Sequence, residues 1–203
     1  MNDHEGRPAG LRERTRRAVR DEIVATAMRL FLERGFEATT MEQIAGEIGI
    51  SRRSLFRYFG TKEDIVLGDH AESGRVLRAA LEARPADEPP WEALRAALKA
   101  LVESLPYSPE DFLKITSMLH ASPSLRARQL DKQQQWMELL VPDIAVRLGS
   151  PADPMTEVRA RALVACALAC SAIATETWVR SNGTVDMEQV FDEAAAAVRG
   201  QGT

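Results

Sequence analysis

The sequence predicts an all-α protein in two parts, an N-terminal three-helix unit and a C-terminal helical bundle. Three observations carry this prediction. Every stretch with a clear hydrophobic period has the helical one, no run alternates apolar and polar residues as a strand would, and no segment repeats another. Capping residues, glycines and prolines punctuate the chain at helical lengths. With 203 residues, 45% of them hydrophobic, the chain can build one or two real cores and is too apolar to be disordered.

From Arg14 to Arg34 the positions Val19, Ile23, Ala27, Leu30 and Phe31 follow a helical stripe, and Gly35 supplies the stop. Thr40 and Gln43 form a capping box for a helix of about two turns, with Ile44, Ala45 and Ile48 inside and Gly49 at its end. Ser51 caps the next helix, in which Leu55, Phe56 and Phe59 are spaced to point inward. Thr61 and Asp64 cap a fourth helix, which starts at Lys62 and is expected to run on through Leu77 and Leu81 to about Arg84. RPADEPP (84–90) reads as the clearest linker, with a new domain starting just after it at Trp91. Helices are expected over 91–105, 109–121, 123–149, 154–182 and 187–199, and Pro142 should kink or divide the third of these. The domains are drawn as 1–68, an N-terminal arm with a unit of short helices, and 69–203, a helical domain.

The net charge of −4 is unevenly spread. Residues 1–70 carry 12 basic against 12 acidic side chains and residues 71–203 carry 14 against 18, so the acidity belongs to the second part. Within the first 20 residues, Arg7, Arg12, Arg14, Arg16, Arg17 and Arg20 face Asp3, Glu5 and Glu13, which predicts a flexible basic arm suited to phosphates. The N-terminus lacks the pattern of a secretory signal, and the uncharged run Ala162–Thr175 is shorter than the roughly 18–20 residues a membrane span needs. A cytoplasmic protein with no membrane partner is expected. Cys166 and Cys170 lie four apart without the spacing of a zinc site, so they read as reduced thiols and no metal is expected. The histidines are His4, His70 and His120, and no Glu-x-x-His pair, phosphate-cradling glycine loop or nucleophile elbow accompanies them. The inventory is not that of an enzyme, and it implies no cofactor.

Two short helices joined by a tight glycine turn and braced by a longer one have the layout of a helix-turn-helix. The second short helix then enters the major groove. Arg52 and Arg53, in the first turn after the Ser51 cap and beside Ser54, are placed to reach guanine O6 and N7. Arg57 and Tyr58 are better placed for phosphate, and Lys62 with the N–H groups opening the fourth helix reads as a further anion site.

On the segment FLERGFEATTMEQIAGEIGISRRSLFRYFGTKEDIV, residues 14–68 resemble the DNA-binding domain of the tetracycline-repressor (TetR) family of bacterial transcription regulators. The resemblance implies a homodimeric repressor that binds a double-stranded DNA operator and responds to a small-molecule effector. It makes Thr40 a phosphate contact, Arg52 and Arg53 the base readers, and Tyr58 and Lys62 further phosphate contacts. Arg53 departs from the small residue common there, and Gly60 replaces a frequent proline. In such proteins the last two helices pair with those of the other subunit, which places the dimer in residues 154–199. The small residues Ala162, Ala165, Cys166, Ala169, Cys170 and Ala174, and AAAAV (194–198), suit close helix contact. An apolar effector cavity is expected from Trp91, Phe112, Met118, Leu119, Trp136, Met137 and Trp178, with His120 or Tyr107 as polar contacts. The stretches SRRSLFRYFGTKED and ASPSLRARQLDKQQQW are similar to a subgroup that takes acyl-CoA-like ligands, which would direct Arg126 and Arg128 to phosphates. The alternative is a ligand-independent DNA-binding architectural protein.

Overall fold

The computed structural model describes residues 10–68, 70–149 and 153–200, with the side chains of residues 70–72 outside that description. Arg7, Asp3, Glu5 and His4 of the expected arm therefore lie outside the described residues. Ten helices and no strand occur among the described residues. The chain forms two compact units that divide between Val66 and Leu67.

The first unit contains α1 (Leu11–Arg34), α2 (Met41–Ile48), α3 (Arg52–Phe56) and most of α4 (Lys62–Leu67). Arg12, Arg14, Arg16, Arg17 and Arg20 stand on the first turns of α1, which corrects the expectation of a flexible arm at these positions. The α1 stripe buries Ile23, Ala27, Leu30 and Phe31, and Ile44, Ala45, Leu55 and Phe59 are buried in the same unit, with α1 packing on α2 and α2 on α3. Each of the larger aliphatics contributes about 1.5–3 kcal/mol of apolar burial. The capping box of α2 is present, Gln43 N–H donating to Thr40 Oγ1 at 3.2 Å and Thr40 N–H to Gln43 Oε1 at 2.9 Å. Gly49 turns the chain at φ 77°, ψ 26°, a left-handed conformation that L side chains enter at a cost. Ser51 then caps α3 through Ser54 N–H.

The second unit holds α5 (His70–Glu82), α6 (Pro90–Glu103), α7 (Pro109–Ala121), α8 (Pro123–Arg147), α9 (Pro154–Arg180) and α10 (Met187–Val198). Proline in the first turn opens α6, α7, α8 and α9, where its missing N–H costs nothing and its fixed φ suits the helix. The core joins Leu77 and Leu81 of α5 to Trp91 and Leu94 of α6, Trp136, Leu140 and Ile144 of α8, Val164 and Leu168 of α9, and Phe191 of α10.

Several expectations are corrected. The fourth helix does not run to Arg84: α4 ends at Leu67, Gly68 has φ 69°, and α5 begins at His70. RPADEPP is no domain boundary but a turn inside the second unit, since α5 before it and α6 after it share one core. Arg147 fastens that turn by donating to the carbonyls of Leu81, Arg84 and Pro85 at 2.8, 3.1 and 2.6 Å. Pro142 does not divide α8, which continues through it to Arg147. Helix α9 is 27 residues long with a window of mean hydropathy 1.6, enough in length and composition to cross a membrane, because the helix extends past the uncharged run at both ends. A third of that window is buried in the protein's own packing.

Candidate nucleic-acid interface and effector cavity

Helix α3 has five residues, and its short length decides which side chains it presents. Leu55 is buried and Phe59, just past the helix end, is 3% exposed, and α3 packs on α2. Phe56 is 40% exposed, which corrects its assignment to the core: it shares the outer face with the arginines. The Arg52 guanidinium lies 5.3 Å from the Phe56 ring centroid and 2.9 Å from Glu42 Oε1 on α2. Arg53 is exposed and enters no ion pair among the described residues. Of the two predicted base readers, Arg52 is therefore held between a carboxylate and a ring, while Arg53 is unengaged.

Thr40 and Ser51 sit at the starts of α2 and α3, exposed, each accepting a backbone N–H while retaining its own hydroxyl proton. Ser51 and Ser54 hydroxyls are 2.9 Å apart, one donating to the other. Arg57 lies over Tyr58 at 5.6 Å. These two face Leu11, Arg12, Thr15 and Arg16 of α1 across an open cleft of about 550 Å³. Arg12, Thr15 and Arg16 share one helix face by their i, i+3, i+4 spacing. Their convergence on Arg57 was not predicted; the excess of arginine before residue 21 was the available signal. Three guanidinium groups around one open cleft, without a carboxylate among its lining residues, make an anion-binding surface.

Lys62 does something else. Its ammonium donates to the carbonyl of Phe36 at 2.8 Å, lies 3.5 Å from those of Glu37 and Thr39, and sits 4.2 Å from the Phe36 ring centroid. All of these belong to the turn between α1 and α2, so the lysine closes that turn. The start of α4 is already engaged, Thr61 N–H donating to Asp64 Oδ2 and Asp64 N–H to Thr61 Oγ1. Lys62 and the start of α4 are thus engaged with the protein's own groups.

The residues expected to line an effector cavity divide among different contacts. Phe112 and Trp178 are paired, with ring centroids 5.3 Å apart. Trp91 instead packs on Phe191 at 6.0 Å, with Arg199 over its ring. Trp136 lies under Lys132 and against Gly74. Met118 and His120 are half-buried near the end of α7, where the His120 carbonyl accepts from Arg126. That bond engages Arg126 in the α7–α8 turn. A cleft of about 220 Å³ occurs elsewhere, floored by Leu98, Val102, Ala174 and Phe191. Its rim is the ion-pair set in which Arg95 holds Asp192 at 2.6 Å and Lys99 holds Glu188 at 2.5 Å. Hydrogen bonds to those carboxylates raise both cations above their ordinary values.

On α9 the expected small-residue face splits in two. Cys170 and Ala174 are buried in the protein's own core, a correction, whereas Ala162, Ala165 and Ala169 are exposed. With Met155 and Val158 before them, the exposed positions alternate three and four apart as far as Ala169, a heptad-like seam of small and apolar residues along the helix.

Comparison with known proteins agrees with this architecture. The family model described as bacterial regulatory proteins, tetR family, matches residues 23–68. The model for the MftR C-terminal domain matches residues 88–201. The HTH-type transcriptional regulator TcmR of Streptomyces glaucescens is 30% identical over 193 residues, covering 92% of this chain and 84% of that protein. The mycofactocin biosynthesis transcriptional regulator MftR of Mycobacterium tuberculosis is 28% identical over 199 residues, 96% of each chain. Among solved structures, a TetR-family regulator from Syntrophomonas wolfei superposes with a TM-score of 0.60 at 15% identity, over 90% of this chain and 94% of that one. FadR of Thermus thermophilus, a repressor crystallised with lauroyl-CoA, superposes with a TM-score of 0.53 at 22% identity, again over 90% and 94%. The two family models together span most of the chain, and this chain is a DNA-binding transcriptional regulator of the tetR family.

Proposed function

We propose that the protein is a dimeric cytoplasmic repressor that reads its operator with the outer face of α3 and leaves it when a small apolar or acyl-CoA-like effector binds the second unit. The observation that carries the DNA-binding assignment is the division of labour on α3, with Leu55 and Phe59 turned inward and Arg53 and Phe56 left in solvent. Arg53 supplies a forked donor for guanine, and Phe56 an apolar surface for a thymine methyl. Thr40, Ser51, Ser54, Arg57 and Tyr58, together with Arg12 and Arg16, supply phosphate contacts that fix register without reading sequence. The dimer reading is supported by the exposed α9 seam, since a run of alanines with Met155 and Val158 in solvent suits the close approach of a second copy. The effector reading is supported by lauroyl-CoA in the Thermus FadR crystal and by the repressors among the relatives, such as AcnR of Corynebacterium glutamicum, 29% identical over 140 residues.

Binding to a panel of operator variants tests the DNA assignment. Arg53→Ala should cost about 1–3 kcal/mol on the specific site and relax preference at one base position. Arg57→Ala and Arg16→Ala should weaken all sequences alike and lower the salt slope by about one each. If Arg53→Ala leaves the specificity profile unchanged, base reading lies elsewhere.

A further inference from the structure

Lys132 and Trp136 stand one turn apart on α8, facing α5, and both are hydrogen-bond donors poorly supplied with acceptors. The Lys132 ammonium lies 4.9 Å from the Trp136 ring centroid, and its acceptor is the Leu67 carbonyl at a long 3.4 Å. No carboxylate pairs with it among the described residues. Desolvation without a counter-charge brings its pKa down to about 8. Trp136 is 8% exposed, and its Nε1–H has no partner. A buried donor left unmatched is destabilising, because it has lost water and gained nothing in return. Around the pair the seam is apolar, with Leu77 of α5 and Leu140 of α8 fully buried. It is also tight: a methyl group on Gly74 would come within 3.1 Å of Leu139 Cδ2, 3.4 Å of Trp136 Cδ1 and 3.6 Å of Trp136 Nε1. Elsewhere along α5 and α8, Arg78 and Asp143 are matched to each other at 2.9 Å.

We propose that this end of the α5–α8 seam is the subsite for the carboxylate of an otherwise apolar effector, held by the Trp136 indole N–H and the Lys132 ammonium. The proposal rests on the effector reading above and names the polar group the effector carries. One neutral and one cationic donor match the two oxygens of a single carboxylate. A phosphate, with more charge and three terminal oxygens, would remain under-coordinated by the same pair. Entry requires Lys132 to release the Leu67 carbonyl and α5 to part from the indole at Gly74. Binding therefore frees the last carbonyl of α4.

The test follows the Trp136 indole resonance in ¹H–¹⁵N spectra of the full chain, assigned by its loss in Trp136→Phe. Hexanoate and decanoate are titrated, with decan-1-ol and decyl phosphate as controls. The carboxylates should move the indole proton downfield, and Lys132→Met should weaken decanoate binding on the order of tenfold while hardly changing decan-1-ol binding. An unmoved indole in all titrations, an equal shift with decan-1-ol, or tighter binding of decyl phosphate overturns the subsite. Unchanged far-ultraviolet circular dichroism of both variants keeps a folding defect from imitating the result. Operator binding is measured on the same samples, so the two readings can fail separately. Carboxylates that move the indole without releasing operator sink the effector reading, and a compound that releases operator without touching the indole sinks the subsite.

Discussion

At the scale of single residues, the unusual group in the second unit is a desolvated lysine that pairs with no carboxylate among the described residues, and its cost is measurable. Lys132 has a folded-state pKa of about 8, below its unfolded value of about 10.4. Between these values the unfolded chain binds the proton and the folded one does not, so this group makes stability rise with pH across that window. Below about pH 8 the folded protein carries a desolvated charge. Lys132→Met should therefore be more stable than the parent at about pH 7, and the gap should narrow as the pH is raised to about 10, as read by urea denaturation. Burial pushes the Tyr107 hydroxyl and the Cys170 thiol the other way, but both proteins carry them and the difference cancels their effect. A gap that stays constant with pH would show that the ammonium is solvated. Residue-level surprises in the site have a shared physical origin. Phe56 reads as core by spacing, yet a five-residue helix buries only the side directly under it. Lys62 reads as a phosphate contact from its place at a helix start, yet its partner Phe36 lies 26 residues away, out of reach of any local pattern.

At the scale of elements, boundaries that depend on local chemistry were legible and those that depend on packing were not. The caps at Thr40 and Ser51 and the prolines opening α6 to α9 mark helix starts in the sequence, and the structure places the helices there. The break at Gly68 was hidden, because one glycine within a helical pattern costs only about 1 kcal/mol and does not announce a stop. The cavity residues were illegible for a related reason: a large apolar side chain does not say which seam it fills. The two faces of α9 likewise carry the same alanines and cysteines, and only the fold separates Ala169, in solvent, from Cys170, 1% exposed. That separation makes a sharp test of the dimer. Ala169→Arg should give monomers by sedimentation, with both units still folded and operator affinity lost, because a charge is set into the seam. Cys170→Arg should instead destabilise the second unit itself, since the arginine enters a filled core. A dimer that survives Ala169→Arg unchanged moves the interface to another face.

At the scale of the whole molecule, α4 is the element the two compact units share, since Lys62–Val66 belong to the first and Leu67 to the second. Its first residue closes the turn before α2, and its last carbonyl receives the Lys132 ammonium. An effector that draws Lys132 away from Leu67 therefore acts on the helix whose other end braces the DNA-reading unit. A conformational change of this kind must obey reciprocity: a ligand that weakens operator binding binds less tightly to the operator-bound protein by the same factor. The coupling expected for such a device is about 1–3 kcal/mol, which is roughly a 5- to 150-fold difference in ligand affinity. Calorimetric titration of one ligand into the free protein and into the protein saturated with operator measures it directly. Lys132→Met removes the tether that the ligand would have to break, so the two affinities should converge in that variant while the protein still binds operator. Equal affinities in the parent protein, with the ligand shown to occupy the second unit, would mean that the compound binds without inducing. Unequal affinities that persist undiminished in Lys132→Met would place the link between ligand and operator outside the Lys132–Leu67 contact.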